Sequence, residues 1–349
     1  MKVVVAPDSY KGTMTAREAA GAMAAGVREA APDAEVVVLP VGDGGEGTMD
    51  AIAEGGERIL CATLDPLGRP ITAEYAIIQE GGHATAVIEA AAASGITLVE
   101  TEDRDIMKAD TTGTGLLIAD AYSRGVRDFL ICMGGTATCD GGMGAFKILS
   151  ETAIKDASFT LLCDVENPLC GPQGAAAIFA PQKGATPQQI PILDNRLREI
   201  ALRYKEIHGI DVTHMKYAGA AGGLAGMFIA CYGGRPVSGI REVLRILRLD
   251  SHLQNADLVI TGEGRVDATT LSGKAPTGIL EAARTRGIPV ALIGGQVTDL
   301  EELEKAGFSY ISTADGRGGK DPRTVLRKAT ATLLKKIIEK NPANRPAQK

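Results

Sequence analysis

The sequence has 349 residues, enough for two domains or for one large α/β domain. Lysine and arginine number 37 against 43 aspartates and glutamates, giving a net charge of −6 without a long basic run, so we expect no nucleic-acid partner. The 45% hydrophobic and 23% charged residues exclude a disordered or collagen-like chain. Since there are 43 glycines and only 4% aromatic residues, the composition predicts an aliphatic core with many tight turns.

The first 55 residues follow a β-α-β-α pattern. Val3–Ala6 and Glu35–Val41 are continuous aliphatic runs, which are typical of strands buried on both faces. Thr15 is placed as the N-cap of a helix that runs to about Ala31, and another helix is predicted from about Thr48.

The middle of the chain has a different character. Residues 57–100 form short alternating segments, which indicate a hairpin or meander rather than parallel strands. A helix at about 113–124 and an aliphatic strand at 128–133 follow.

The parallel pattern resumes from about residue 256. Predicted strands in DLVITGEG, IPVALIGG and FSYIS alternate with helices at 276–286 and 323–339. We therefore predict an α/β protein of two domains. Residues 1–62 and 246–349 would form a parallel α/β domain from both chain ends, and residues 63–245 an inserted mixed α+β domain. The active site is expected in the cleft between the domains.

Six clusters rich in glycine or proline are candidates for chemistry. They are APDSYKGT (6–13), GDGGEGT (42–48), TTGTG (111–115), GGTATCDGGMG (134–144), CDVENPLCGPQGA (163–175) and TGEGRVDATTLSGKAP (261–276). Four of them follow a predicted strand, where open α/β sheets bind ligands. Backbone amides together with acidic and basic side chains are the mixture that phosphoryl transfer needs.

The known phosphate-binding signatures identify only in part which kind of ligand these clusters bind. A P-loop is excluded, because Ser272-Gly273-Lys274 is followed by alanine and position 268 is alanine rather than glycine. GDGGEG matches G-x-G-x-x-G between a strand and a helix, but Asp43 and Glu46 occupy two of its variable positions. Their charges would repel a pyrophosphate without a metal ion, so the motif favours a Mg²⁺-phosphate or polyol site over a dinucleotide site.

Several of the candidate residues also have purely structural interpretations. Asp8, next to Lys11, can form an Asx turn, and residues 111–115 can cap a helix rather than hold an anion. Asp140 can simply form a turn, and the charges of residues 265–274 can form a surface ion network. The histidines lie outside all six clusters, so a carboxylate is the better candidate for a catalytic base.

Eight ordered motifs resemble one known family. They are APDSYKGT, PVGDGGEGT, EAAAASGITL, GGTATCDGGMG, CDVENPLCGPQGA, PQKGA, AGAAGGLAG and ITGEGRVDATTLSGKAP. In this order they resemble the bacterial type I glycerate kinases, from residue 1 to about 295. The resemblance implies ATP-dependent, Mg²⁺-requiring phosphorylation of D-glycerate, with the 2-hydroxyl as expected acceptor. It also implies a flavodoxin-like domain with an inserted domain.

Chemistry and resemblance together give an expected role to each candidate residue. A small anionic substrate needs a cation for its carboxylate and a carboxylate near its reacting hydroxyl. The expected catalytic residues are Asp43 as first choice of base, Asp8 as second, and Lys11. The expected substrate-binding residues are Arg265, Lys274, Glu46 and Ser9. The expected nucleotide- and phosphate-binding residues are Thr112, Gly113, Thr114, Gly115, Gly134, Gly135, Thr136 and Thr138. The expected metal ligands are Asp140 and Asp267.

The sequence departs from the family pattern between Lys147 and Thr160, where relatives carry a further strand and a glycine-rich loop. No glycine or proline lies between Gly144 and Pro168, although a helix-to-strand reversal normally contains one. A missing strand would also leave an unpaired sheet edge. We therefore expect the complete protein to carry a further segment near Leu149–Ile154 and to weigh a few kilodaltons more than 36.2 kDa.

Two other classes of function remain open. GDGGEG could be the fingerprint of a dinucleotide-dependent oxidoreductase, or the protein could be a non-catalytic sensor of sugar acids. The sequence shows no secretory signal and no apolar run of about 18 residues, so we expect a cytoplasmic protein without a membrane partner. A homo-oligomer is compatible with the sequence.

Overall fold

The structure is a computed structural model and describes residues 1–271, 273–316, 319 and 321–340. The strands are β1 (Lys2–Val5), β2 (Glu35–Val38), β3 (Glu57–Leu64), β4 (Pro70–Glu80), β5 (His83–Glu89), β6 (Asp128–Cys132), β7 (Ser158–Cys163), β8 (Arg235–Ser238), β9 (Leu258–Val266), β10 (Val290–Val297) and β11 (Tyr310–Thr313). The helices are α1 (Ala16–Ala30), α2 (Thr48–Ile52), α3 (Ala91–Ser94), α4 (Thr112–Ser123), α5 (Met143–Glu151), α6 (Ala175–Phe179), α7 (Gln189–His208), α8 (Leu224–Tyr232), α9 (Gly239–Ile246), α10 (Leu249–His252), α11 (Ala275–Arg284), α12 (Leu300–Ala306) and α13 (Pro322–Lys340).

The chain divides into two compact units. Unit 1 comprises residues 1–43, 50–52 and 240–349, and unit 2 comprises residues 44–49 and 53–239. Unit 1 therefore takes its residues from both ends of the chain. The domain boundaries expected from the sequence, 62/63 and 245/246, stay a prediction.

Unit 1 contains a five-stranded parallel sheet in the order β11-β10-β9-β1-β2. Numbered within the unit, this is the flavodoxin-like order 2-1-3-4-5, as expected from the sequence. The strand order reverses between β1 and β9, where Val3 is in register with Leu258. In such sheets the carboxyl ends of the strands at the reversal are the usual ligand site.

Two local predictions in this unit have different outcomes. The helix after β1 is confirmed: Thr15 caps α1 and forms a capping box with Glu18, whose side chain accepts from the Thr15 amide at 2.9 Å. The expectation that β2 is buried on both faces is wrong. Its residues are half-buried or exposed, with Val38 39% exposed, because β2 is one of the two edge strands of the sheet.

Unit 2 contains a six-stranded mixed sheet in the order β3-β4-β5-β6-β7-β8. The first three strands pair antiparallel, as the alternating pattern of residues 57–100 predicts, and the remaining pairs are parallel. Phe129 stacks on Phe159 with ring centroids 5.0 Å apart, and Phe228 lies 4.8 Å from Phe159. The few aromatic residues of the chain thus help to build this core.

The chain changes direction between α5 and β7 without a glycine or a proline in the connection. Ala153 and Asp156 take positive φ angles of 53° and 54°, a conformation that usually favours glycine. The expected unpaired edge is not present here, since β7 pairs with β6 on one side and β8 on the other. A further segment near Leu149–Ile154 stays a prediction, which an intact mass of 36.2 kDa would contradict.

Candidate active site

The turn after β1 places Asp8 at the carboxyl end of the unit 1 sheet. The Asp8 amide donates to the Gly262 carbonyl of β9 at 2.9 Å, which continues the pairing of β1 with β9. Its carboxylate accepts from the Ser9 amide at 2.6 Å. Tyr10 and Met14 then bridge each other through both backbone groups, and Gly12 with φ 74° closes the small loop that carries the exposed Lys11.

Glycines in β9 make room for this turn. A Cβ on Gly262 would lie 2.1 Å from the Ile293 carbonyl oxygen and 2.6 Å from the Tyr10 hydroxyl. That hydroxyl donates to the same Ile293 carbonyl at 2.6 Å. The glycines of the TGEG motif are therefore required for close packing, which brings the loop after β1 against the end of β9.

Glu263 lies between these glycines and was not among the predicted site residues. It is only 8% exposed and accepts from the Thr270 hydroxyl at 2.6 Å, with the Lys274 ammonium at 3.4 Å. Burial raises its pKa, and the charge of Asp43 raises it further, while Thr270 and Lys274 lower it. A carboxylate between two glycines in a strand was the signal that could have found this residue.

Asp8, Asp43 and Glu263 form a cluster of interacting carboxylates. Asp8 is 5% exposed, and burial together with the charge of Asp43 raises its pKa to about 7. Glu263 adds a smaller contribution in the same direction, while the Ser9 amide and Lys11 lower the pKa. A buried carboxyl with a pKa near neutrality is what a general base at physiological pH requires.

Arg265 and Asp267 follow Glu263 on the same segment and pair with each other. The Arg265 Nε atom lies 2.9 Å from the Asp267 carboxylate, while the arginine side chain stays 76% exposed. Hydrogen bonds from Thr269 lower the pKa of Asp267, so this carboxylate is ionised at neutral pH. The two predicted site residues thus lie together, and Asp267 already has an arginine partner.

A cavity of about 1000 Å³ lies in unit 1 above the ends of these strands. Five of the predicted site residues line it, and so does Glu263, which was not predicted. A group of uncharged residues, here called the neutral wall, lines another part of it. The predicted lining residues are Ser9, Lys11, Asp43, Arg265 and Lys274. The neutral wall includes Met14, Val297, Thr313, Val325 and Leu326. The cavity thus combines carboxylates, cations and apolar surface.

In unit 2, Asp140 organises the fold around it. It is 1% exposed, and its carboxylate accepts from the Thr111 amide and hydroxyl at 3.0 and 2.8 Å and from the Gly144 and Gly142 amides at 3.0 and 3.2 Å. Burial raises its pKa, and these donors lower it. Because four donors already surround the carboxylate, its predicted role as a metal ligand gains nothing from this geometry.

We expect Asp140→Ala to lower the free energy of unfolding by about 3 kcal/mol or more, because two buried backbone N–H groups and one half-buried one would lose their acceptor. Urea denaturation measures this change. Asp128→Ala in the same unit is the control: Asp128 accepts from Ser158 at an exposed position, and its loss should cost less than about 1 kcal/mol. Equal stability of the two variants would contradict the assigned role of Asp140.

The predicted nucleotide loop at the start of α4 is largely buried. A Cβ on Gly113 would lie 2.0 Å from the Leu64 carbonyl oxygen, and one on Gly115 would lie 2.8 Å from Ala145 Cα. The Thr114 hydroxyl lies 2.7 Å from Ser94 Oγ. These residues pack the interior of unit 2, whereas Thr112 is half-exposed.

The other predicted loop of unit 2 carries both exposed and buried residues. Gly135 is exposed and Gly134 half-exposed, and a Cβ on Gly134 would meet Gly45 Cα at 2.6 Å. The GDGGEGT and GGTATCDGG clusters thus touch through their glycines. Glu46, which was predicted to bind substrate, is exposed in this part of the chain.

Lys183 is a buried cation that was not among the predicted site residues. It is 6% exposed and donates to the Thr136 hydroxyl at 3.1 Å and to the Thr138 carbonyl at 2.8 Å. Burial lowers its pKa to about 8, against an opposing effect of Cys139 and Asp140. Lys183 thus ties the segment that contains Thr136 and Thr138 to the turn after α6.

The described ranges contain neither a ready metal site nor a membrane span. In them, no three histidine, cysteine, aspartate or glutamate side chains are grouped so that they could hold a metal ion. Within the same ranges, every helix is too short or too polar to cross a bilayer.

Comparisons with known proteins define the class of this chain. A model described as the glycerate kinase family matches residues 3–150 and 149–340. Glycerate 2-kinase of Escherichia coli K12 is 40% identical, with 86% of each chain covered, and glycerate kinase of Halalkalibacterium halodurans is 38% identical, with 84% of this chain and 85% of the relative covered. The crystal structure of a proposed glycerate kinase 2 from Salmonella typhimurium LT2 superposes with a TM-score of 0.85 at 34% identity over 98% of both chains.

The protein is therefore an enzyme, a small-molecule kinase with a two-sheet α/β fold. More particularly, the chain belongs to the glycerate kinase family, as its motifs indicate. These relatives do not support the oxidoreductase or the sensor interpretation. The two stretches matched by the family model meet at residues 149–150, within the range where a further segment is predicted.

Proposed function

We propose that the protein transfers the γ-phosphoryl group of ATP to the 2-hydroxyl of D-glycerate and releases ADP and 2-phosphoglycerate. The observation that carries this proposal is the cluster of interacting carboxylates of Asp8, Asp43 and Glu263, two of which, Asp43 and Glu263, line a cavity that cations also line. A relative that is 40% identical over 86% of this chain is named glycerate 2-kinase, which supports the 2-hydroxyl as acceptor.

Asp8 is the group best suited to take the proton of the substrate hydroxyl. Its pKa of about 7 allows it to be ionised before the reaction and to hold a proton afterwards. The proton moves from the hydroxyl to Asp8 while the substrate oxygen forms a bond to the γ-phosphorus. The bond from this phosphorus to the bridging oxygen breaks, and ADP leaves with that electron pair. Burial raises the pKa of Asp8, and the charge of Asp43 raises it further.

The residues of this cluster also fit a magnesium ion. Mg²⁺ is usually bound by one or two carboxylates together with phosphate oxygens of the substrate, so a complete protein cage is not required. Asp43 and Glu263 offer such oxygens, and their mutual repulsion is a strain that a cation would relieve. When bound, the ion would neutralise charge on the phosphates. Lys11, Arg265 and Lys274 are the cations that can bind the anionic groups of the two substrates.

A coupled assay of ADP release tests the proposal. We expect turnover only when D-glycerate, ATP and Mg²⁺ are all present, with other small hydroxy acids as controls for the acceptor. Analysis of the product by ³¹P NMR distinguishes phosphorylation of the 2-hydroxyl from that of the 3-hydroxyl. ADP release at the same rate without D-glycerate, or its absence in the complete mixture, would refute the kinase activity.

A further inference from the structure

The cavity of unit 1 is much larger than glycerate requires. Its volume is about 1000 Å³, at the upper end of the range for sites that enclose drug-sized ligands. A three-carbon acid would leave most of this space to water. A nucleoside triphosphate, with a base, a sugar and three phosphates, has the size that such a cavity encloses.

The cavity also has two chemically different sides. Lys11 follows β1, Arg265 lies near the end of β9 and Lys274 follows β9, and all three line the cavity together with Asp43 and Glu263. The side formed by β10, β11 and α13 is mostly neutral and includes Val297, Thr313, Val325 and Leu326. Gln296 on β10 is in register with Arg265 on β9 and lies where the two sides meet.

This division matches the parts of a nucleotide. An apolar wall with a few hydroxyl and amide groups suits a base and a ribose, whereas cations suit phosphates. Asp315 follows β11 on the neutral side, and a carboxylate after a strand is a group that binds ribose hydroxyls in other open α/β sheets. The cavity lies at the reversal of strand order, the usual position of a nucleotide in such a sheet.

The alternative phosphate sites are the N-termini of two helices in unit 2, where several backbone amides already donate hydrogen bonds within the protein. At the start of α4, the Thr111 and Thr112 amides donate to Asp140 and Asp110 at 3.0 and 2.9 Å. At the start of α5, the Gly144 amide donates to Asp140 and the Ala145 amide to Thr111 Oγ1, both at 3.0 Å. These amides at the two helix N-termini therefore already have acceptors within the protein, which leaves fewer donors for a phosphate.

We infer that the cavity of unit 1 is the nucleotide site, with the nucleoside against β10, β11 and α13 and the phosphates toward Lys11, Arg265 and Lys274. This inference rests on the proposed function for the presence of ATP, and it replaces the expected phosphate site at residues 112–115 and 134–138. The carboxylate cluster then lies at the phosphate end of the cavity, where the acceptor hydroxyl has to arrive.

Val325→Phe tests the nucleoside wall. Val325 is half-buried in the first turn of α13 and lines the cavity, so a larger side chain takes up space there. Val36→Phe is the matched control, because Val36 is half-buried on β2 in the same unit and does not line the cavity. Thermal melts establish that both variants are folded. Binding of ADP with Mg²⁺ is measured by calorimetry without glycerate, and both KM values are measured in the coupled assay.

We expect Val325→Phe to weaken ADP binding and to raise the KM for ATP at least tenfold, with the KM for D-glycerate changed less than threefold. Val36→Phe should change neither value by more than twofold. Unchanged ADP binding in folded Val325→Phe, or a larger effect on glycerate than on ATP, would overturn the inference while leaving the kinase activity intact. Conversely, wild-type protein that binds ADP at this site without glycerate-dependent turnover would refute the proposed substrate and leave the nucleotide site standing.

Discussion

Asp8→Asn is expected to lower kcat by about 10²- to 10⁴-fold, the usual effect of losing a general base. Asparagine has nearly the same shape and can still accept the 2.6 Å hydrogen bond from the Ser9 amide, so the backbone should not move. In wild-type protein, kcat/KM should rise as the pH rises through about 7, because Asp8 must be ionised to take a proton.

The same variant should be more stable than wild type above pH 7. Asp8 has a raised pKa in the folded protein, about 7 against 3.8, so the folded state binds this proton more tightly than the unfolded chain does. The stabilisation is fully present below pH 3.8 and is lost as the pH rises through about 7. Above that pH the fold carries a buried charge, which costs on the order of 2–4 kcal/mol, part of it shared with Asp43.

Urea unfolding at pH 5 and pH 8 measures this effect. Asp8→Asn should gain stability over wild type mainly at pH 8, and the exposed turn variant Asp33→Asn should show little change at either pH. An Asp8→Asn variant with near-normal kcat, or with no gain at pH 8, would remove Asp8 from the role of base and pass it to Asp43.

Asp43→Asn is expected to lower kcat about 10²-fold or more, because this carboxylate lines the cavity and fits the metal ion. A second effect of this substitution, on the pH profile, tests whether the charge of Asp43 acts on Asp8 and Glu263. Since the charge of Asp43 raises the pKa values of Asp8 and Glu263, the acidic limb of the residual activity should move to lower pH. The melting temperature should barely change, because Asp43 is only partly buried.

The pH profile of the residual activity checks this second effect. Asp33→Asn, which removes a carboxylate at an exposed position of the same unit, should keep the wild-type profile. An acidic limb that stays at the same pH in Asp43→Asn would contradict the coupling between Asp43 and Asp8.

The sequence predicted those parts of the fold that depend on neighbouring residues. The cap of α1 needs only Thr15 and Glu18, three residues apart, and was therefore predictable. The exposure of β2 was not, because it depends on which strands pair with β1, and one of them is β9, far along the chain. An aliphatic run alone does not distinguish a central strand from an edge strand.

The same distinction explains the outcome for the site. Arg265, Lys274 and Asp43 could be predicted as site residues because charges in glycine-rich clusters near strand ends are a local signal, and all three line the cavity of unit 1. Lys183 was missed because a lysine in a short turn is normally exposed, and its burial depends on Thr136 and Thr138, some 45 residues away. Asp140 was taken for a turn former or a metal ligand because its donor Thr111 lies 29 residues earlier in the chain.

Strand β1 has a consequence for synthesis on the ribosome. The carbonyl of Ala6, just after this strand, accepts a hydrogen bond from the hydroxyl of Thr261, 255 residues later, so the sheet of unit 1 cannot close until that part of the chain has been made. At translation rates of roughly 5–20 residues per second, this delay lasts on the order of 13–50 s. Residues 53–239 of unit 2 are all made within that time and can fold first. During the delay the aliphatic residues Val3, Val4 and Val5 lack their β9 partner, so one edge of this strand stays unpaired while the rest of the chain is made.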